Sequence, residues 1–235
     1  VTVRNYRKKY DVLVVGAGGL GCPVLQYLTA AGVGEIGVLD HDTVDQSNLQ
    51  RQILYTHADI GFSKAESAVK RLSALNPYVN FNIHNEALDK DNAVDIFEEY
   101  DIIVDGTDNF PTRYLINDAA ILTDKILVFG SIFKFDGQVS VFNYNNGPTY
   151  RCLYPTPPTP DAAPNCSQIG VLGVLPGLIG CFQANEVIKI ICNLGGILSG
   201  KLLTLNALTL EQTIFGFEKN NTIFIDQLED DYDVV

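Results

Sequence analysis

No two cysteines in this 235-residue sequence are spaced as CxxC, and their total is odd: five, at positions 22, 152, 166, 181 and 192. That usage argues against a disulfide framework and for a reducing, cytoplasmic compartment. Basic charge is also scarce. Sixteen Lys and Arg face 28 Asp and Glu, a net charge of −12, whereas a nucleic-acid surface needs clustered cations. A basic partner is permitted; a nucleic acid is not expected. No stretch reads as a signal peptide, and no internal repeat stands out. The one run that raises a membrane span covers 167–185, 19 residues without a charge. It holds four glycines, Pro176, Gln168 and Gln183, and a charged helix follows at once. A buried or interface helix is the expectation, with no membrane partner.

Apolar residues make up 46% and charged residues 19% of the chain, an ordinary globular balance with length for a sizeable core. Strand-like runs at Val12–Val15, Ile36–Asp40, Val79–His84, Ile102–Asp105 and Ile126–Gly130 alternate with helical patterns. Those lie near Leu20–Ala31, Lys64–Leu75, Ala93–Glu99 and Arg113–Leu122. The alternation predicts an α/β fold, a Rossmann-like, mostly parallel sheet with helices on both faces. After Gly137 the period becomes two. Gln138–Phe142, Lys201–Leu205 and Thr213–Phe217 read as strands, the last two antiparallel and at the sheet edge. One domain over 1–235 is expected, with a basic leader (1–9), a Pro-rich crossover loop (154–168) and an acidic, solvated tail (226–235). Five prolines between Tyr154 and Pro164 prevent that loop from forming helix or central strand, and it leads to Cys166.

The most informative stretch is Asp11-Val12-Leu13-Val14-Val15-Gly16-Ala17-Gly18-Gly19-Leu20-Gly21. A β-branched run that ends in spaced glycines before a helix presents backbone N–H groups to a phosphate. Gly16 permits the turn, Gly18 and its neighbour Gly19 allow close approach, and Gly21 lets helix and strand pack. Asp40 closes the next apolar run, where an acidic side chain can accept hydrogen bonds from ribose hydroxyls. A nucleotide site follows, with NAD, FAD and ATP left open by this motif alone.

Asp42-Thr43-Val44-Asp45-Gln46-Ser47-Asn48-Leu49-Gln50-Arg51-Gln52, then Gly61-Phe62-Ser63-Lys64-Ala65, then Asp105-Gly106-Thr107-Asp108-Asn109-Phe110 with Arg113 separate those options. Their order resembles the ThiF/MoeB/HesA family of bacterial E1-like activating enzymes. The resemblance runs from about Tyr10 to about Glu218. It includes Phe135-Asp136-Gly137-Gln138-Val139, Arg151-Cys152-Leu153-Tyr154-Pro155 and Gln183-Ala184-Asn185-Glu186-Val187-Ile188-Lys189. It implies ATP-dependent adenylation of the C-terminal glycine carboxylate of a ubiquitin-like sulfur-carrier protein ending in Gly-Gly. The acyl-adenylate would serve sulfur transfer in molybdopterin, thiamin or related biosynthesis.

By the same resemblance Gly18, Asp40, Asn48, Arg51, Lys64 and Asp108 contact ATP or Mg²⁺, and Gln52 belongs to their motif. Arg51 can bind phosphate oxygens bidentately, and Asp108 can hold Mg²⁺, a hard cation. Arg113 is expected to order the Asp108 loop, and Asp105 to cap the turn after its strand. Asp42 and Asp45 read as turn formers. Cys166 could take the activated acyl group as a thioester or acyl disulfide; Cys22, Cys181 and Cys192 read as core.

Many relatives carry a structural zinc on two CxxC pairs. Here the first reads Thr149-Tyr150-Arg151-Cys152 and the second is missing, so no zinc is expected. The family's upstream Arg segment has no match, and Arg4, Arg7, Lys8 and Lys9 read as a solvated leader. A homodimer is expected, with the glycine-spaced segment Gly170–Gly180 allowing close helix approach. The alternatives are a tRNA-modifying dehydratase of the same superfamily and a non-catalytic carrier-binding subunit. An NAD-dependent oxidoreductase is disfavoured, since Asn48–Arg51 and Asp105–Asn109 have no role in hydride transfer.

Overall fold

The computed structural model describes residues 10–158 and 170–232. Five strands run parallel: β1 (Val12–Val15), β2 (Glu35–Leu39), β3 (Asn80–His84), β4 (Ile102–Asp105) and β5 (Ile126–Phe133). Three antiparallel strands extend the sheet: β6 (Asp136–Phe142), β7 (Lys201–Asn206) and β8 (Gln212–Gly216). The order across the sheet is β3-β2-β1-β4-β5-β6-β7-β8. The strand order turns about β1 and β4, and the crevice outside their carboxyl ends is where such sheets bind ligands.

Both faces are covered, so β1 is apolar on every residue, and β4 on all but its last, rather than on alternate ones. Val12 and Val14 of β1 point into one core with α1 (Gly21–Ala31), α2 (Lys64–Leu75) and α6 (Leu175–Cys192). Leu13 and Val15 point into the other, with α3 (Ala93–Glu98), α4 (Phe110–Leu122) and α5 (Tyr150–Leu153). By length and composition α6 could cross a bilayer, but it packs against α1, β5 and β6. Gly180 makes this possible: a Cβ there would lie 2.4 Å from the Leu20 carbonyl oxygen. Gly180 of that segment thus serves packing within the chain.

Several expectations need correction. Helix α4 starts at Phe110, a turn before Arg113, because the Asn109 Oδ1 accepts the Thr112 N–H at 2.9 Å and Pro111 fits the first turn. Strand β5 runs on to Phe133 because β6 pairs with it down to Phe133–Asp136. Cys22 and Cys192 are buried, but Cys181 is exposed on α6. An almost uniformly apolar helix gives no periodic cue to its outer face.

The tail is not simply solvated. Leu228 and Tyr232 pack on the second core, and the Tyr232 hydroxyl donates to Asp118 Oδ2 at 2.9 Å. That carboxylate also takes both arms of Arg151, at 2.8 and 2.6 Å. Full burial of Asp118 demands such bidentate pairing. Tyr114, Phe129, Phe142 and Tyr150 stack around the same corner. Cys152 contributes its sulfur as acceptor to the backbone N–H groups of Thr149 and Asn220, each at 3.3 Å. The leader 1–9, the loop from 159 onward, Cys166 and residues 233–235 lie outside the described residues.

Candidate nucleotide cleft

The glycine turn is built around two backbone contacts that exclude side chains. Gly16 has φ of +91° and donates its N–H to the Leu39 carbonyl at 2.7 Å, locking β1 to β2. A Cβ on Gly21 would lie 1.9 Å from the Gly16 carbonyl oxygen, so α1 can spring from the strand at this angle only with glycine there. Gly18 differs: a Cβ on it would meet only Gln52 Nε2, at 3.6 Å. The space above it is open cleft, the cradle that a bound phosphate needs.

A cavity of about 540 Å³ opens there. Gly16, Gly18, Gly19, Asp40, Asn48, Arg51, Gln52, Lys64 and Asp108 all line it, and Gly21 supports it from behind. Cys166 cannot be placed, since it lies outside the described residues.

The chain between β2 and α2 folds over the turn. Asp45 caps a single 3-10 turn, Gln46–Asn48, accepting from the Ser47 N–H at 2.8 Å, while Asn48 Oδ1 accepts the Asp45 N–H at 3.3 Å. This turn puts Arg51 over the glycines, its Cγ 3.6 Å from where a Gly19 Cβ would sit. Among the described residues the guanidinium makes one long contact, to the Ser47 carbonyl at 3.4 Å, which leaves most of its donors for an anion. Gln52 is buried, and its Oε1 has no partner among the described residues, a cost that a ligand or ordered water would relieve. Tyr55 braces the turn from below, its hydroxyl donating to the Ala17 carbonyl at 2.8 Å.

Asp40 is engaged on both oxygens: the Ala17 N–H reaches Oδ2 and the Asp42 N–H reaches Oδ1, each at 2.8 Å. Asp42 proves more than a turn former. Its Oδ2 takes the Lys64 ammonium at 2.8 Å. Burial acts against the Asp42 carboxylate, but the hydrogen bond and charge of Lys64 prevail and hold it below the usual carboxylate range. Lys64 is itself buried at the first residue of α2, an unfavourable place for a cation unless an anion lies opposite. Asp40, His41 and Asp42 bring three potential ligand atoms within 4.8 Å, yet Lys64 and two backbone N–H groups already occupy the carboxylates.

On the other side of β1, Asp105 ends β4 fully buried. It accepts from the Thr107 N–H at 2.9 Å and hydroxyl at 2.6 Å, and from Arg113 Nε at 3.3 Å. Burial pushes its carboxyl up, against the opposing pull of Arg113 and Thr107. Arg113 also donates to the Thr107 carbonyl at 3.3 Å and lies 5.1 Å from the Phe129 ring centroid. It therefore ties down the loop rather than lining the cleft. Gln183 of α6 holds the same strand end, donating to the Asp105 carbonyl at 2.6 Å. The loop delivers Asp108 to the cleft, exposed, with no partner on its carboxylate among the described residues.

Sequence reading missed the Asp42–Lys64 pair, the Tyr55 brace and the Gln183 anchor. Gln183 lay within a quoted motif, but nothing local announces contacts that span 22, 38 and 78 positions.

The residues present fit a magnesium-bound polyphosphate: an open glycine cradle, a buried ammonium and, among the described residues, a guanidinium with most donors unused and a carboxylate without a partner for a hard cation. The ThiF family model matches residues 4–222. The sulfur carrier protein adenylyltransferase of Thermus thermophilus is 53% identical over 206 residues, 86% of this chain and 76% of that protein. A probable molybdopterin-synthase adenylyltransferase of Porphyra purpurea is 52% identical, over 86% of this chain and 53% of its own length, so the chain spans only about half of that relative. Among solved structures, E. coli MccB with ATP superposes with a TM-score of 0.82 at 18% identity, covering 95% of this chain and 68% of MccB, a likeness of fold. The family model spans the glycine turn, the overhanging Asn48–Gln52 segment and the Asp108 loop alike, and the chain belongs to the ThiF family.

Proposed function

We propose that this chain uses ATP to adenylate the C-terminal glycine carboxylate of a ubiquitin-like sulfur-carrier protein ending in Gly-Gly. The observation that carries this reading is Arg51 over an open glycine turn, with Lys64 lining the same cleft and Asp108, without a partner among the described residues, also lining it. A relative 53% identical is named for adenylating a sulfur carrier, which supports the substrate class.

The chemical obstacle is electrostatic, since one anion must approach another. A carboxylate oxygen of the carrier attacks the α-phosphorus. The new P–O bond forms as the bond to the bridging oxygen breaks, and pyrophosphate leaves with the electron pair. Arg51 and Lys64 offset the charge that gathers on the phosphate oxygens, and Asn48, whose amide nitrogen has no partner among the described residues, can donate to them. Asp108 would hold Mg²⁺, which supplies further charge neutralisation. The acyl-adenylate then serves sulfur transfer in molybdopterin, thiamin or related biosynthesis. The Cys166 thiolate is the candidate acceptor, attacking the acyl carbon as AMP departs.

Exchange of labelled pyrophosphate into ATP tests the proposal. A Gly-Gly-ended carrier should stimulate exchange, and the same carrier lacking its last glycine should not. Exchange driven equally by both carriers overturns the reading. Cys166→Ala should leave exchange intact while blocking covalent capture of the carrier.

No structural zinc is expected, because one cysteine of the first pair stands alone at Cys152 and its sulfur already accepts two backbone N–H groups. A homodimer is expected in the cytoplasm. Val174, just before α6, and Cys181 on it are exposed, and the sequence carries no charge between 167 and 185. In a chain of net charge −12, an uncharged face is where a second copy meets least repulsion. Cys181→Asp should shift the sedimenting species from two chains to one without lowering thermal stability, because the residue is exposed. An unchanged dimer would move the interface elsewhere.

A further inference from the structure

The cleft is chemically asymmetric, and the sheet order fixes which end is which. Reading across the carboxyl ends of β3, β2, β1 and β4, the cleft is bounded in turn by Ala87 and Leu88, by Asp40, by the glycines under Arg51, and by Asp108. Polyphosphate belongs where the cations and open backbone are. A nucleobase needs the reverse, an apolar surface. That surface is made by Leu39, Ala87 and Leu88 beyond Asp40. Leu88 is half-buried and packs on the second core.

Ala87 and Leu88 sit on an irregular segment between β3 and α3, and the Asn92 side chain clasps it. Asn92 Oδ1 accepts the Asp89 N–H at 2.9 Å. Its Nδ2 donates to the Ala87 carbonyl at 2.8 Å and to Glu86 Oε2 at 3.0 Å. One amide therefore uses both its donor and its acceptor to bracket Leu88, while Asn92 itself does not line the cleft. Asp89 returns the tie through Oδ1, which accepts the Asp91 and Asn92 N–H groups at 2.9 and 3.1 Å.

We infer that Asn92 is a positioning residue for the nucleobase: it holds the Ala87–Leu88 wall in place, and nucleotide affinity depends on its amide donor. This deepens the proposed function and rests on ATP occupying the cleft. The donor is what matters. Aspartate at this position keeps the oxygen that accepts the Asp89 N–H, so the turn that leads into α3 keeps its bond. It loses the bonds to Ala87 and Glu86 and sets one carboxylate against another.

Asn92→Asp therefore separates the turn bond to Asp89 from the clasp on the wall. Calorimetric titration of wild type and variant with ATP·Mg²⁺ and with inorganic tripolyphosphate·Mg²⁺ reads the difference, with thermal unfolding alongside. The variant should bind ATP about fivefold to tenfold more weakly, the loss of roughly one hydrogen bond's worth of ordering. Tripolyphosphate affinity and the unfolding temperature should hold. In pyrophosphate exchange the KM for ATP should rise while kcat stays unchanged. Unaltered ATP affinity, or equal loss for both ligands, overturns the assignment of Asn92. A wild-type protein that binds tripolyphosphate but gains nothing from the nucleoside overturns the base wall itself, and one that binds neither overturns the proposed function.

Discussion

Asp108→Ala is expected to lower carrier-dependent pyrophosphate exchange by about 10²–10³-fold while leaving thermal unfolding where it is in the wild type. The two halves of that expectation come from the same observation. Asp108 is exposed at the cleft and no described residue holds its carboxylate, so its removal breaks no contact on which the fold depends. Exposed substitutions away from caps, cores and buried pairs shift stability by about 0.5 kcal/mol or less. A large loss of rate without loss of fold therefore marks a side chain kept for a ligand. Asp108→Asn refines the point. The amide matches the carboxylate in shape but lacks its charge, so the variant should need far more Mg²⁺ to reach half-maximal exchange. Full exchange in Asp108→Ala at ordinary Mg²⁺ would strip the residue of its role.

The parts of this fold that could be read from sequence are those set by neighbours in the chain. Strand β1, the glycine turn and α1 are specified by a β-branched run and three spaced glycines. The structure returns them nearly residue for residue, because each constraint acts within a few positions. Asp40 stood out for the same reason. What could not be read was pairing across distance. Asp42 and Lys64 were each visible, yet that one carboxylate holds the other's ammonium depends on how 22 residues fold over the turn. Local rules also misled where two signals competed. Asn109-Phe110-Pro111 looks like loop, but asparagine caps a helix and proline fits its first turn, so α4 starts there. The acidic tail hid Leu228 and Tyr232 because charge dominates its composition, and burial of two side chains leaves no periodic trace in so short a segment. Cys181 was misplaced because an apolar helix with one core-facing side and one open side has little amphipathic contrast.

The remaining large effect concerns a residue that touches no ligand. Arg113→Ala should destabilise the protein by about 3–5 kcal/mol, the cost of leaving a buried carboxylate without its counter-ion. Asp105 is wholly enclosed, and Arg113 is the cation that faces it. For a chain of this length the loss corresponds to roughly 10 °C in the unfolding midpoint. The variant also abandons the packing of the guanidinium over Phe129. Stability and activity can then be separated by a second substitution. Arg113→Met combined with Asp105→Asn leaves no charge buried, so most of the lost stability should return. Exchange activity should not return with it, because the Thr107 carbonyl loses the donor that ties it down and the neighbouring Asp108 is no longer held in register with the glycine turn. A double variant as active as the wild type would show that the loop keeps its shape unaided, and the buried pair would then be a matter of stability alone.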